Sequence, residues 1–379
     1  MARIIMFMLL FAVATSTAAS AQMILIEDRH DDAALFVVPT ALSVNPAQPV
    51  HSLVEYEAVY GRLPGIDEGA LAATLYFANG GQTLYVVDPG GISNAALQQA
   101  LSESASLPVS IVAMPGAAAA ITAPSTLRAA MQVLIEHVEA SSNRFAILDA
   151  PKLSDASALL NYRNGLQSKY AALYAPWLIV DDANAAGGRW GVAPSAAVAG
   201  VIARVDREHG IFNAPAGTQT MFSAVLNPAL ERDLSSAETP LNTNNINLLR
   251  SFAGHAQPVI WGARVLDTEP GAYVPVHRYL RHLKHSIKVS LAPCFDGTLP
   301  TCVPTATTTN AAIDAYLLQQ WRKEALKGTT PQDAWFSNCS VSGPHLECVI
   351  GVALTRPAEF NIIQVRWALD DLIFESGFE

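Results

Sequence analysis

The chain has 379 residues, 15% of them charged and 51% hydrophobic, with a formal net charge of -10. A charged fraction well under the roughly 25% of an average soluble protein leaves much surface to be buried, in a core or against neighbours. The acidic balance argues against the chain as a nucleic-acid binder. Past the N-terminal run no stretch of about 18 apolar residues is unbroken, which excludes an internal membrane-spanning helix.

The first residues read as a targeting segment. Arg3 is a short positive start, residues 4–14 are an apolar run, and Ala19-Ser20-Ala21 is a small-residue cleavage pattern. Cleavage between Ala21 and Gln22 would remove residues 1–21 and leave an exported, extracellular or cell-surface chain. The competing reading is a retained apolar segment in a chain of the cytoplasm or a virion.

After Gln22, Met23, Ile24, Leu25 and Ile26 open a short strand, and 35–38 form a second. Residues 51–61 predict a helix ending at glycine, and 69–78 an Ala-rich helix stopped by Asn79-Gly80-Gly81 before a strand at 83–87. A helix at 93–104 precedes a strand at 108–114. Residues 125–141 are an amphipathic helix with Leu127, Met131, Leu134, Ile135 and Val138 on one face. A strand at 145–148, a helix at 154–162, a strand at 177–180 and a helix at 195–208 follow. This alternation predicts an α/β fold built on a mainly parallel sheet.

Beyond Trp261 the pattern changes, which places a domain boundary near Gly262: an α/β unit at 22–262 and a smaller α+β unit at 263–379. The second unit holds a basic helix at 273–289, a Pro/Thr/Cys loop at 293–309, a helix at 311–326, and strands at 335–339, 347–354 and 360–368. All four cysteines fall here: Cys294, Cys302, Cys339 and Cys348. Three pairings are open; sequence proximity favours Cys294 with Cys302 and Cys339 with Cys348. A zinc site is the alternative, but there is no C-x-x-C, and an exported chain favours disulfides.

A run of motifs resembles one family. The block at 162–217 reads YRNGLQSKYAALYAPWLIVDD and then GRWGVAPSAAVAGVIARVDREHGIFNAPAG. It is similar to the core of contractile-tail sheath proteins of phages and phage-like injection machines. The segments PVHSLVEYEAVYG, GALAATLYFANGGQTLYVV, RFAILDAP, LNTNNINLLRSF and VIWGARVL resemble further parts of the same core. YVPVHRYLRHLKHSI, KGTTPQDAWF and TRPAEFNIIQVRW resemble the family's C-terminal domain. The resemblance implies a three-layer sandwich related in fold to subtilisin. It also implies a subunit that polymerises with copies of itself by lending strands to its neighbours, in a static tube or in a contractile sheath around an inner tube protein. The candidate donor strands are Met23–Glu27 and Phe360 to Trp367, with Phe360, Asn361, Ile362, Ile363 and Val365 in the second. The targeting segment, the cysteine loop at 294–304 and the tail DDLIFESGFE depart from the family pattern.

The subtilisin-like fold raises a serine hydrolase reading at Ser195. Ala193-Pro194 stand where such an enzyme carries Gly-Thr, and no His-Gly segment lies upstream. Asp181 and Asp182 follow a strand as a subtilase aspartate would, but without a positioned histidine the hydroxyl is a poor nucleophile. Ser195 reads instead as a helix cap, and no catalytic residue is expected. His277, His282 and His285 sit among Arg278, Arg281, Lys284 and Lys288, whose charge opposes a metal ion; no metal or cofactor is expected. Arg278, Arg281 and Lys284 read as an interface helix facing an acidic patch on an adjacent subunit, either Asp28, Asp31 and Asp32 or Asp370 and Asp371. No phosphate-binding glycine loop occurs.

Overall fold

The computed structural model describes residues 24–152, 155–228, 238–252, 257–269, 272–295, 304–342, 345–354 and 360–368, with backbone alone at 227–228, 238–239 and 360–368. In chain order the elements begin with β1 (Ala34–Val37), α1 (Leu53–Tyr60), α2 (Glu68–Ala78), β2 (Leu84–Val87), α3 (Asn94–Glu103) and β3 (Ile111–Ala113). The one-turn α4 (Ala117–Ala120), α5 (Pro124–Ala140), β4 (Phe145–Asp149), α6 (Ala156–Arg163) and β5 (Ala171–Ala175) follow. Next come β6 (Leu178–Asp181), β7 (Arg189–Val192), α7 (Ser195–His209), β8 (Asn227–Pro228), α8 (Glu238–Thr243), β9 (Ile246–Arg250) and β10 (Val259–Trp261). The chain continues through α9 (Val274–Phe295), α10 (Ala306–Arg322), α11 (Pro331–Ala334), β11 (Trp335–Ser342), β12 (His345–Ala353) and β13 (Phe360–Ala368).

The main sheet has 7 strands in the order β10-β9-β5-β4-β3-β1-β2. All its pairings are parallel except β10 with β9. Side chains alternate across it. Phe36, Phe145, Ile147 and Tyr174 face a core shared with α2 and α7, while Leu35, Ala146, Leu148 and Leu173 face a core shared with α3 and α5. Helices therefore cover both faces, as a parallel sheet requires, and the result is the expected three-layer sandwich. The five apolar positions picked out on α5 are all fully buried in the second core. Ser52, Asp67, Ser93 and Asp155 cap α1, α2, α3 and α6 with their side chains. Gly200 lets α7 lie directly on α2: a Cβ there would stand 2.4 Å from the Tyr76 carbonyl oxygen.

The structure redraws several expectations. The strand placed at 177–180 is β6, and it leaves the main sheet for a small antiparallel sheet ordered β7-β6-β8. The main-sheet strand is β5, just before it; Pro176 has no N–H with which to continue the ladder. Strands β7, β9 and β10 go beyond the sequence reading. Thr305 and Thr308 form a capping box, so α10 starts inside the stretch expected to be loop. Ile24 to Glu27 is not a strand; the segment lies against α9. The apolar cores of the large unit continue past Gly262 to Val274, and a third core gathers Ile26 with residues from Tyr279 to Leu354.

Candidate functional site: a charged seam and the assembly strands

Helix α9 carries the basic residues expected to face a neighbour, and the structure corrects this for Arg278 and Arg281. Both are buried in their own chain. Arg278 donates to both oxygens of Asp206 on α7, at 2.8 and 2.5 Å. Burial pushes Asp206 up, but the Arg278 guanidinium outweighs it and holds the carboxyl at about 2. Arg281 donates to the carbonyls of Arg144 and Ser141, and its guanidinium lies 3.5 Å from the centre of the Tyr170 ring. Burial pulls Arg281 down to about 10. Lys284 is half-buried, and burial lowers it too. The two arginines thus pin α9 to the large unit.

Two of the acidic groups expected on a neighbour, Asp28 and Asp31, find partners within their own chain. Asp28 accepts from His282 Nε2 at 2.6 Å, Lys323 Nζ at 2.6 Å and the Tyr316 hydroxyl at 3.1 Å. Burial pushes Asp28 up, yet hydrogen bonds from His282 and Lys323 overcome it and hold the carboxyl well below the usual range. Asp31 accepts from Asn143 Nδ2 at 2.7 Å and faces His285 Nε2 at 3.9 Å. Asp32 is exposed. Asp370 and Asp371 lie outside the described residues. His277 packs edge-on against Tyr170, and burial lowers it to about 4. Among the described residues no group of three His, Cys, Asp or Glu is placed to hold a metal ion.

Ser195 is fully buried and is not a side-chain cap. Its backbone N–H donates to Asp149 Oδ1 at 2.8 Å, so the carboxylate at the end of β4 caps α7. Its hydroxyl makes no hydrogen bond of ordinary geometry among the described residues, though it lies near enough to be felt by the Asp149 carboxyl. Complete burial drives Asp149 up to about 7. A hydroxyl with no exposure and a carboxylate for its neighbour offers a substrate nothing to react with.

Sequence reasoning passed over Asp206, Asp149 and Arg144. Their signal was faint: Asp206 is an acid following Val205 at the end of an apolar helix, and Asp149 and Arg144 bracket an apolar strand. Arg144 is buried, and its guanidinium donates to the carbonyls of Ser104, Ala105 and Leu107 at the end of α3.

In the C-terminal unit, Cys339 and Cys348 are disulfide-bonded and face each other across β11 and β12. Cys294 is disulfide-bonded as well; Cys302 lies outside the described residues. The candidate donor strand at the C-terminus is β13, the outer strand of a 3-stranded sheet, antiparallel to β12 from Ala353↔Phe360 to His345↔Ala368. Here it is paired within its own chain. At the other end, Ile26 is buried in the third core and Leu25 is exposed, while Met23, Ala21 and Gln22 lie outside the described residues.

The molecule is a three-layer α/β protein with a disulfide-stapled C-terminal unit bound to it by a buried charged seam. Residues 90–265 match the family model described as phage tail sheath protein central domain. That match covers a little under half of the chain. No curated protein matches it. Among solved structures it is similar to the PVC sheath of an extracellular contractile injection system in the contracted state, with 23% identity, TM-score 0.71, and 96% of this chain and 98% of that one covered. It is also similar to the contracted helical sheath of the anti-feeding prophage, with 22% identity, TM-score 0.70, and coverage of 95% and 99%. A sheath tail protein from Desulfitobacterium hafniense shares 9% identity at TM-score 0.65, with coverage of 89% and 96%. At these identities the likeness is one of fold.

Proposed function

We propose that this chain is a structural subunit that self-assembles, head to tail, into a helical sheath or tube, joined by strands lent between neighbours. The observation that carries the reading is the sheath central-domain match at 90–265, which spans most of the main sheet. The near end-to-end likeness in fold to sheath subunits supports it. A head-to-tail contact that does not close generates a helix. The outer strand β13 offers the kind of edge that main-chain hydrogen bonds can exchange. The buried Ser195 hydroxyl supports a structural rather than a hydrolytic role. The test is electron microscopy of the purified protein across a concentration series. Helical polymers are expected, and a strictly monomeric particle at the highest concentration would sink the proposal.

The setting we infer is outside the cytoplasm, and the unit at 22–262 and the unit at 263–379 act there as one building block. The N-terminal apolar run with its small-residue cleavage pattern supports export. So do the disulfide and the bonded state of Cys294, since such bonds persist in oxidising compartments. The second reading is the sheath of a contractile phage tail or injection system, in which an inner tube protein is a further partner. It is favoured by the contracted state of the sheaths this fold resembles. Mass spectrometry of the N-terminus separates the two: Gln22 as the first residue supports export, and an intact Met1 supports the contractile sheath.

A further inference from the structure

Residues 24–33 lead from the C-terminal unit into the first strand of the main sheet, and their side chains alternate. Ile26 is 3% exposed in the third core and Ile24 packs against that core, while Leu25 between them is 63% exposed. Asp28 and His30 continue the inner row: Asp28 meets His282, Lys323 and Tyr316, and His30 Nε2 lies 3.5 Å from Asp206. Glu27 and Arg29 turn outward and pair with each other at 2.8 Å. This is the period of two that a strand has, yet residues 24–33 join no sheet.

Helix α9 supplies the partner instead. The Glu27 and Arg29 N–H groups donate to the hydroxyls of Ser290 and Ser286, at 3.0 and 3.1 Å. Four residues of helix rise about 6 Å, and two residues of open chain span up to about 7 Å. Hydroxyls one turn apart therefore meet amides two residues apart, with the segment running against the direction of the helix. His282, one turn further along the same row, takes Asp28. The row stands in for the edge of a sheet. The fit is close: the gap lined by His30, Asp31, Asn143, Arg278, His282 and His285 holds about 20 Å³, room for one water.

We propose that residues 24–33 are a staple inside one chain, which the subunit keeps in the polymer rather than lends to a neighbour. The inference rests on the assembly reading above and narrows it, leaving β13 as the strand for exchange. The staple is fixed at both ends. Toward the main sheet, the Ala33 carbonyl accepts from Ser110 N–H, Ala34 N–H donates to the Thr83 carbonyl, and Asp31 accepts from Asn143 Nδ2 at 2.7 Å. With Asp31 held, the run back to Ile24 reaches at most about 25 Å. At its other end, leaving α9 would give up the burial of Ile26, the three contacts on Asp28 and both amide bonds together. Ser286 and Tyr316, at 0% and 1% exposure, would lose the partners that cover them.

The Asp28–Lys323 contact of 2.6 Å makes the test possible in the unaltered full chain. A zero-length carbodiimide joins a carboxyl to an amine with loss of water, and so records which chain supplies each partner. Ordinary and heavy-nitrogen-labelled chains are mixed in equal amounts as monomers, assembled, coupled and digested. Mass spectrometry is expected to find Asp28 joined to Lys323 in pairs of like label, with mixed-label pairs absent. The Lys323→Arg chain, which has no amine to couple, is expected to lose the product and so fixes its assignment. Mixed-label pairs in the polymer overturn the inference, because they show the segment on a neighbour. So does a polymer in which Asp28 and Lys323 do not couple at all, because the segment has then left α9. Failure of the assembly reading shows separately, as the absence of polymers in the microscope. The same coupling in the monomer then decides whether the staple exists: its presence supports the staple and its absence overturns it.

Discussion

Arg278 and Asp206 are both buried and hydrogen-bonded through two parallel contacts, so neither charge has water to fall back on. Removing one partner strands the other. Arg278→Ala is expected to destabilise the protein by about 3–5 kcal/mol in urea unfolding, and Arg278→Lys to recover only part, because an ammonium cannot make the paired contact. Asp206 is depressed to about 2, so its contribution is present above the unfolded carboxylate value and is lost as pH falls through about 2. Asp149 has the opposite sign. Raised to about 7, it contributes stability below its unfolded value and loses that contribution as pH rises through about 7. Asp149→Asn keeps an acceptor for the Ser195 N–H and carries no charge to bury. The variant is expected to gain on the order of 2 kcal/mol over the wild type at about pH 8 and to match it near pH 4, as read from urea midpoints at the two pH values.

At the scale of elements, close packing of α2 on α7 depends on Gly200, since the atom facing it is backbone and cannot swing aside. Gly200→Ala is expected to lower stability by about 1–3 kcal/mol despite alanine's better helix propensity, a sign that thermal unfolding will read directly. The amphipathic helices were legible because period 3.6 with one buried face is a local signal: the five α5 positions chosen from it are all buried. Strand β5 was not, because Ala-Ala-Leu-Tyr-Ala has little β signature of its own. It is a strand because β4 and β9 flank it in the sheet. Strand β6 reads as an apolar run like a core strand, but it follows Pro176, which has no N–H for the main-sheet ladder, and pairs with β7 and β8 instead. The pairing of Cys339 with Cys348 was favoured by proximity, and the strands then set them face to face. Replacing both with alanine is expected to lower the C-terminal unit's stability by about 2–3 kcal/mol while leaving the main sheet folded. Hydrogen–deuterium exchange of the β11 and β12 amides against those of β4 distinguishes the two units.

For the whole molecule, the charge pattern of α9 was visible in the sequence, and so was the acidic segment that complements it, but not whether they meet within one chain or between two. Sequence separation hides this: Asp28 and His282 lie 254 residues apart and come together only once both units are folded. Strand β13 poses the same question. It pairs with β12 in its own chain, and an equivalent pairing between chains would use the same hydrogen bonds in the same register. The energy of the pairing is then nearly the same in monomer and polymer, and the gain on assembly comes from the other surfaces that neighbours bury. A chain ending at Leu354 lacks β13 but keeps the described residues of all three apolar cores. It is expected to remain folded by circular dichroism and to form no helical polymer under conditions in which the full chain does. Adding β13 as a separate peptide is expected to restore a third strand on β12, visible as protection of the β12 amides, without restoring polymers, because a free strand carries no neighbour with it. Polymers of unchanged symmetry from the shortened chain would place the joint between subunits elsewhere on the molecule.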